Sequence, residues 1–189
     1  GDDAWAVALG VPAQAESPYA IVSGRTPGLA RAGSSNAFAA SAEAANNRVW
    51  PLDQARASIQ QALPCCDLLL PSLEDMMQLT GLKDPEAILD WCHDHGAVHV
   101  VLKMGAQGAL ISQGEVRNWI PAMQVKALDA TGAGDCFCGN LLARLVQGDS
   151  LAQATRWANT AAALSVQGIG AIAPLPHAEQ VSALIGSST

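Results

Sequence analysis

The chain has 189 residues, half of them apolar, which is enough to bury one good core and suggests a single domain or a little more. Lys and Arg number 10 against 17 Asp and Glu, and the formal charge of -7 sets a repulsive average field against a nucleic-acid backbone or an anionic membrane. No apolar run reaches the roughly 18 residues of a membrane helix, and the amino end, GDDAWAVALG, lacks the basic start and long apolar core of a signal peptide, so a cytoplasmic location is expected.

In chain order, the first fifty residues give weak signals. YAIVSG, at 19 to 24, predicts one buried strand, and the Ala-rich AGSSNAFAASAEAANN fits a helix. From Leu52 the pattern alternates. LDQARASIQQAL predicts a helix, CDLLLPS a buried strand, and LEDMMQLTG a short helix closed by Gly81. PEAILDWCHDHG predicts a further amphipathic helix, VHVVLKMG a strand rich in β-branched residues, and GALISQG with EVRNWIPA a hairpin turning at Gln113 and Gly114. AGDCFCGNLLARLVQG and SLAQATRWANTAAALSVQG are helical by apolar spacing and each ends at glycine, and a last helix runs from about Pro176 to Ile185. Alternating strands and helices predict a mostly parallel sheet covered on both faces, with a ligand site at the carboxyl ends of its strands. The five cysteines, Cys65, Cys66, Cys92, Cys136 and Cys138, are odd in number and form no CxxC pair, so they are expected to be reduced and to act as small buried hydrophobes.

The stretch that carries chemistry is DATGAGDCFCGN, residues 129 to 140. Gly132 and Gly134 permit close backbone approach, so the N–H groups of residues 132 to 135 can converge on one point at a helix start, where they favour an anion. Asp135 in that first turn could accept a hydroxyl proton while the amides stabilise a transferring group. The alternative is a helix cap behind a glycine loop, and residues alone leave the two open. The motif is not a Walker A loop, since no GxxxxGK[ST] occurs.

DATGAGDCFCGNLLARL closely resembles the second signature of the ribokinase-like, or PfkB-type, carbohydrate kinases. LLLPSLEDMMQLTG, VVLKMGAQGALI and RWANTAAALSVQGIGAIAPLP follow that family's order and spacing, covering about Arg48 to the end. SGRTPGL at 23 to 29 and NNRVWPL at 46 to 52 are similar to two segments of the 2-keto-3-deoxygluconate kinases, with Arg25 replacing an apolar residue and Ala45 an acid. The resemblance implies an α/β fold: a three-layer α/β/α ribokinase-like sheet, truncated and without the small β-sheet lid. Residues 1-45 would be the remnant of a sugar-binding half and 46-189 the nucleotide-binding and catalytic half of one domain. Full-length members carry a longer sugar-binding half, so an open sheet edge and a possible homo-oligomer are expected here.

It further implies ATP-dependent transfer of a phosphoryl group to a sugar hydroxyl. Asp135 would be the base and the amides of Gly132, Ala133 and Gly134 the anion hole. Asp75, at the acid of the family's Asn-x-x-Glu motif, would act through water on Mg²⁺, with Ser72 in the Asn position; otherwise the two form a capping pair. Lys103, Gly105 and Gly108 map onto the nucleotide-side loop, although a lone Lys at a strand end is usually solvated. Asn159 matches a position facing the adenine, although an Asn on a helix is more often polar surface. Carbonyls of Asp129 and Thr131, with the loop Gln167 to Ile172 turned by Gly168 and Gly170, match a monovalent-cation (K⁺) site. Arg48 matches a substrate- or phosphate-contacting Arg, or is an exposed charge at a helix entry. The implied partners are a small sugar or sugar acid and ATP, with no nucleic acid and no membrane. The alternatives are a nucleotide-binding remnant without kinase activity, or a kinase of the same family acting on fructose, ribose or a nucleoside.

Overall fold

The computed structural model describes residues 21–22 and 52–186. Arg48, the segments at 23–29 and 46–51, and the Ala-rich stretch lie outside them. Five strands, β1 (Ile21–Val22), β2 (Leu68–Leu69), β3 (His99–Lys103), β4 (Ala109–Gln113) and β5 (Val116–Ile120), form one sheet in that order. The helices are α1 (Leu52–Ala62), α2 (Leu73–Thr80), α3 (Pro85–Asp94), α4 (Ala133–Val146), α5 (Leu151–Ser165) and α6 (Ala178–Gly186). The β2–β3 pairing is parallel, as expected, with Leu68 opposite His99. β1 runs antiparallel to β2, so the sheet is mixed. Among the described residues, no helix is long and apolar enough to cross a membrane.

Two compact units divide the chain, one running to Leu102 and taking in Ser112–Arg117, the other comprising Lys103–Ile111 and the stretch from Asn118 onward. In the first, Val100, Val101 and Leu102 are all fully buried, the mark of a strand covered on both faces. Leu63, Leu68, Ile88 and Leu89 are equally buried. α3 opens on Pro85, whose missing N–H costs nothing at that position, with Asp84 capping Glu86 N. The Arg56 guanidinium donates to the Leu79 carbonyl at 2.7 Å, fastening α1 to the last turn of α2. Arg117 gathers the hairpin and α3: it pairs with Glu86 at 3.2 Å and Asp90 at 2.7 Å, and donates to the Ser112 hydroxyl and the Gly114 carbonyl. His93 bridges the Ala97 carbonyl, 2.8 Å from its Nδ1, and the Ser112 hydroxyl, at its Nε2. The hairpin turns at Gly114 and Glu115, one residue later than expected.

The second unit is built on a helical hairpin. α5 begins with a capping box, in which Ser150 Oγ accepts the Gln153 N–H and Gln153 Oε1 accepts the Ser150 N–H. Its Ala154, Ala158 and Ala161 are fully buried, small side chains that let α5 approach α4 closely. Trp157 donates to Asn140 Oδ1 at 3.0 Å and lies under the Arg144 guanidinium, 4.4 Å from the ring centre. Cys136, Ala161 and Val181 then join α4, α5 and α6 in one apolar cluster, flanked by Trp157, Leu164 and Ile185. Cys92, Cys136 and Cys138 are buried free thiols, and burial pushes the Cys92 thiol up to about 12. Because the alanine stripe leaves no spare volume, Ala158→Leu is expected to destabilise the chain by about 1–3 kcal/mol, read as a lowered urea midpoint at unchanged slope.

Candidate functional site

The second unit brings most of the expected site residues together. β3 ends at Lys103, and a single 3₁₀ turn, Gly105–Gln107, follows. Met104 N donates to the Gly108 carbonyl at 2.8 Å, closing the turn. Trp119 Nε1 and Gln124 Nε2 hold the carbonyls of Gln107 and Ala106 from outside. Gly108 sits at φ 102, and a Cβ there would lie 2.6 Å from the Ala122 nitrogen, so only glycine fits. Asn159 reaches the same segment, its Nδ2 donating to the carbonyls of Ile120 at 2.9 Å and Pro121 at 3.3 Å. It is buried, so it is not polar surface, and its amide nitrogen is engaged by backbone.

The loop before α4 is tied to the end of α5. Leu128 and Asp129 both donate their N–H to the Val166 carbonyl. The Asp129 carboxylate accepts from the Thr131 hydroxyl at 2.6 Å, the Thr131 N–H at 2.9 Å and, across the gap, the Gly170 N–H at 2.8 Å. These bonds, the Thr131 hydroxyl foremost, hold its carboxyl down from 3.8 to about 2. The role expected for Asp129 lay in its carbonyl; the structure shows its side chain as the link between the two loops. Gly168 serves packing, since a Cβ there would lie 2.5 Å from Pro174 Cβ.

Gly132 takes the left-handed conformation, φ 76, and a Cβ on it would come within 2.8 Å of Ala171 Cβ. This residue starts α4. Ala133 N–H donates to the Ala130 carbonyl at 3.1 Å, so it is turned into the loop and is not available as expected. The N–H groups of Gly132, Gly134 and Asp135 have no acceptor among the described residues. Asp135 is exposed in the same first turn, and its carboxylate makes no hydrogen bond or ion pair among the described residues. The Lys103 ammonium folds in against the same turn at Gly134. Nζ lies 3.4 Å from Cys138 Sγ and 3.6 Å from where a Cβ on Gly134 would stand. One exposed carboxylate and three amides without an acceptor among the described residues thus gather at the start of α4, with one ammonium against it, a set suited to a polyanion meeting a hydroxyl.

Ser72 and Asp75 belong to the first unit. Ser72 Oγ accepts the Asp75 N–H at 3.1 Å and donates to Asp75 Oδ2 at 2.6 Å, capping α2. Cys138 reads from the sequence only as a small buried hydrophobe: nothing in a helical apolar pattern separates a thiol that receives a lysine from one that merely fills space.

Two outcomes follow from the loop geometry. The Asp129 pKa is lower folded than unfolded, so its contribution is complete above its ordinary 3.8 and disappears as pH falls through about 2. Asp129→Asn should therefore show a smaller loss of melting temperature than the unaltered chain across that interval. Gly132→Ala combines a left-handed backbone with a clash against Ala171 and should cost about 1–3 kcal/mol in denaturant unfolding.

The family model described as pfkB family carbohydrate kinase matches residues 19–178, so the similarity begins well before Arg48. The chain is 30% identical over 142 residues to a 2-dehydro-3-deoxygluconokinase of Bacillus subtilis, covering 74% of this chain and 44% of that one. It is 35% identical over 134 residues to a ribokinase of Arabidopsis thaliana, covering 66% and 35%. Among solved structures, an aminoimidazole riboside kinase from Salmonella enterica, complexed with aminoimidazole riboside and an ATP analog, matches with a TM-score of 0.68 at 29% identity, covering 72% of this chain and 48% of that one. The chain thus spans less than half the length of these relatives, and what it shares with them is the ribokinase-like α/β fold.

Proposed function

The chain belongs to the pfkB family of carbohydrate kinases, and we propose that it transfers the γ-phosphoryl group of ATP to a hydroxyl of a sugar acid, 2-keto-3-deoxygluconate. The observation that carries this reading is the exposed Asp135 carboxylate in the same turn as the amides of Gly132, Gly134 and Asp135, all of them without a partner among the described residues. Asp135 takes the proton of the acceptor hydroxyl, whose oxygen forms the new bond to the γ-phosphorus. The bond to the bridging oxygen breaks with its electrons, and ADP leaves. The three amides and the Lys103 ammonium hold the equatorial oxygens throughout, so positioning and charge stabilisation provide most of the rate. The backbone amide of Ala133 has no part in this.

Mg²⁺ takes hard oxygen ligands, usually one or two carboxylates with the substrate's phosphates, and Asp75 fits that pattern: it is exposed and spends one carboxylate oxygen on Ser72. When bound, the ion neutralises phosphate charge. Gly105 and Gly108 would let backbone approach the nucleotide, with Asn159 setting the segment Ile120–Ala122 beside them. The carbonyls of Asp129 and Thr131, which accept no hydrogen bond among the described residues, would serve a K⁺ ion. Arg48 would contact the sugar acid.

The choice of sugar acid is supported by the SGRTPGL and NNRVWPL segments and by the similarity to a 2-dehydro-3-deoxygluconokinase. Phosphorylation of 2-keto-3-deoxygluconate, ribose, fructose and aminoimidazole riboside with Mg²⁺ and ATP checks it, the first being expected to give the highest kcat/KM. Asp135→Asn should lower kcat by about 10²–10⁴ with nucleotide binding kept, and undiminished turnover would refute the assignment of the base.

A further inference from the structure

The ammonium beside the amides is held in an unusual way. Lys103 carries a long, flexible stem with about 2 kcal/mol of rotamer entropy, and a neighbouring carboxylate would ordinarily capture it. Asp135 stands in the same turn, yet the two form no ion pair. The partner of Nζ is instead the sulfur of Cys138, at 3.4 Å. Cys138 lies three residues beyond Asp135, close to one helical turn, and is 1% exposed, so the contact is made from the closed side of the helix. Its thiol is kept neutral by burial, which pushes its titration up. Neutral sulfur is a weak acceptor, so it fixes the direction of the ammonium without cancelling its charge. A carboxylate at position 138 would hold the same lysine in an ion pair and compete with any incoming anion.

We propose that Cys138 is a positioning residue: its sulfur holds the Lys103 ammonium against Gly134, beside the unpaired amides and clear of Asp135, ready to pass to the oxygens of a bound phosphate chain. The inference rests on the phosphotransferase reading above and adds to it the residue that sets the cation. Removing the sulfur frees Lys103 to swing onto Asp135 or into water, and phosphate binding weakens. The contact is given up when the anion arrives, so the anion gains a cation that needed no prior ordering.

Calorimetry on the chain with inorganic tripolyphosphate, and separately with adenosine, tests this. Lys103→Ala and Cys138→Ala should each weaken tripolyphosphate binding roughly 5- to 10-fold, the worth of one ordinary hydrogen bond. Adenosine binding should not change. Cys138→Ser, which keeps an acceptor, should stay within about twofold of the unaltered chain, and the double variant should bind no worse than Lys103→Ala alone because the two residues act as one unit. Cys138→Val, close in size to the thiol but without an acceptor, takes the place of alanine if the smaller side chain unfolds the protein. Undiminished tripolyphosphate binding in both Cys138→Ala and Cys138→Val overturns the inference, as do additive losses in the double variant or an equal loss of adenosine. In those cases the parent reading stands, provided Lys103→Ala binds more weakly. Failure of the unaltered chain to bind tripolyphosphate removes the parent reading and this one together.

Discussion

The start of α4 depends on one carboxylate. Asp129 joins two segments distant in the sequence, taking Thr131 from its own loop and the Gly170 N–H from the loop after α5. Ala171, the next residue, is what closes over Gly132 and forces that position to remain without a side chain. The left-handed turn at Gly132 in turn directs the amides of Gly134 and Asp135 outward while Ala133 N–H turns back to Ala130. A hydrogen-bonded carboxylate at some remove from the reacting groups therefore decides where the unpaired donors point.

Charge in this unit is arranged by exposure. An acid strongly stabilised as an anion, Asp129, is spent on structure, whereas Asp135, without a partner among the described residues, faces solvent at the helix start. The ammonium lies between the Cys138 sulfur and Gly134, where its neighbour is a neutral thiol. Such a set neither collapses into an internal ion pair nor buries a bare charge, and it is open to a ligand carrying several negative oxygens.

Much of the fold was legible because its signals are local. The helices among the described residues follow apolar spacing, caps and closing glycines, and their ends differ from expectation by a residue or two: α6 starts at Ala178 because His177 is engaged ahead of it, its N–H held by Gln180 Oε1. The strand expected over CDLLLPS shrank to Leu68–Leu69, since apolar runs mark burial more reliably than they mark ladder length. The glycines and acid of the site were visible as residue types at a fixed spacing. What could not be read was orientation. Whether Ala133 N–H faces outward is set by a turn's dihedral angles, and whether Lys103 is solvated or folded inward is set by a residue 35 positions away. For Asn159 the sequence leaves a ligand contact and surface as the choices, because a helical pattern does not say that two carbonyls of another segment lie within its reach. The hub at Arg117 was missed for the same reason, as its acids lie on α3.

The α4–α5 hairpin also bears on the order in which the second unit assembles. Its connection, residues 147–150, is short, and it is braced by Arg144 bonding Asp149 and by the cap at Ser150. Contacts so near in sequence close with little loss of chain entropy and form quickly, whereas bringing Gly170 to Asp129 or Lys103 to Cys138 closes loops several times longer. The helix that carries the amides can therefore be in place early in folding, with the cation and the clasp that orient its first turn arriving last.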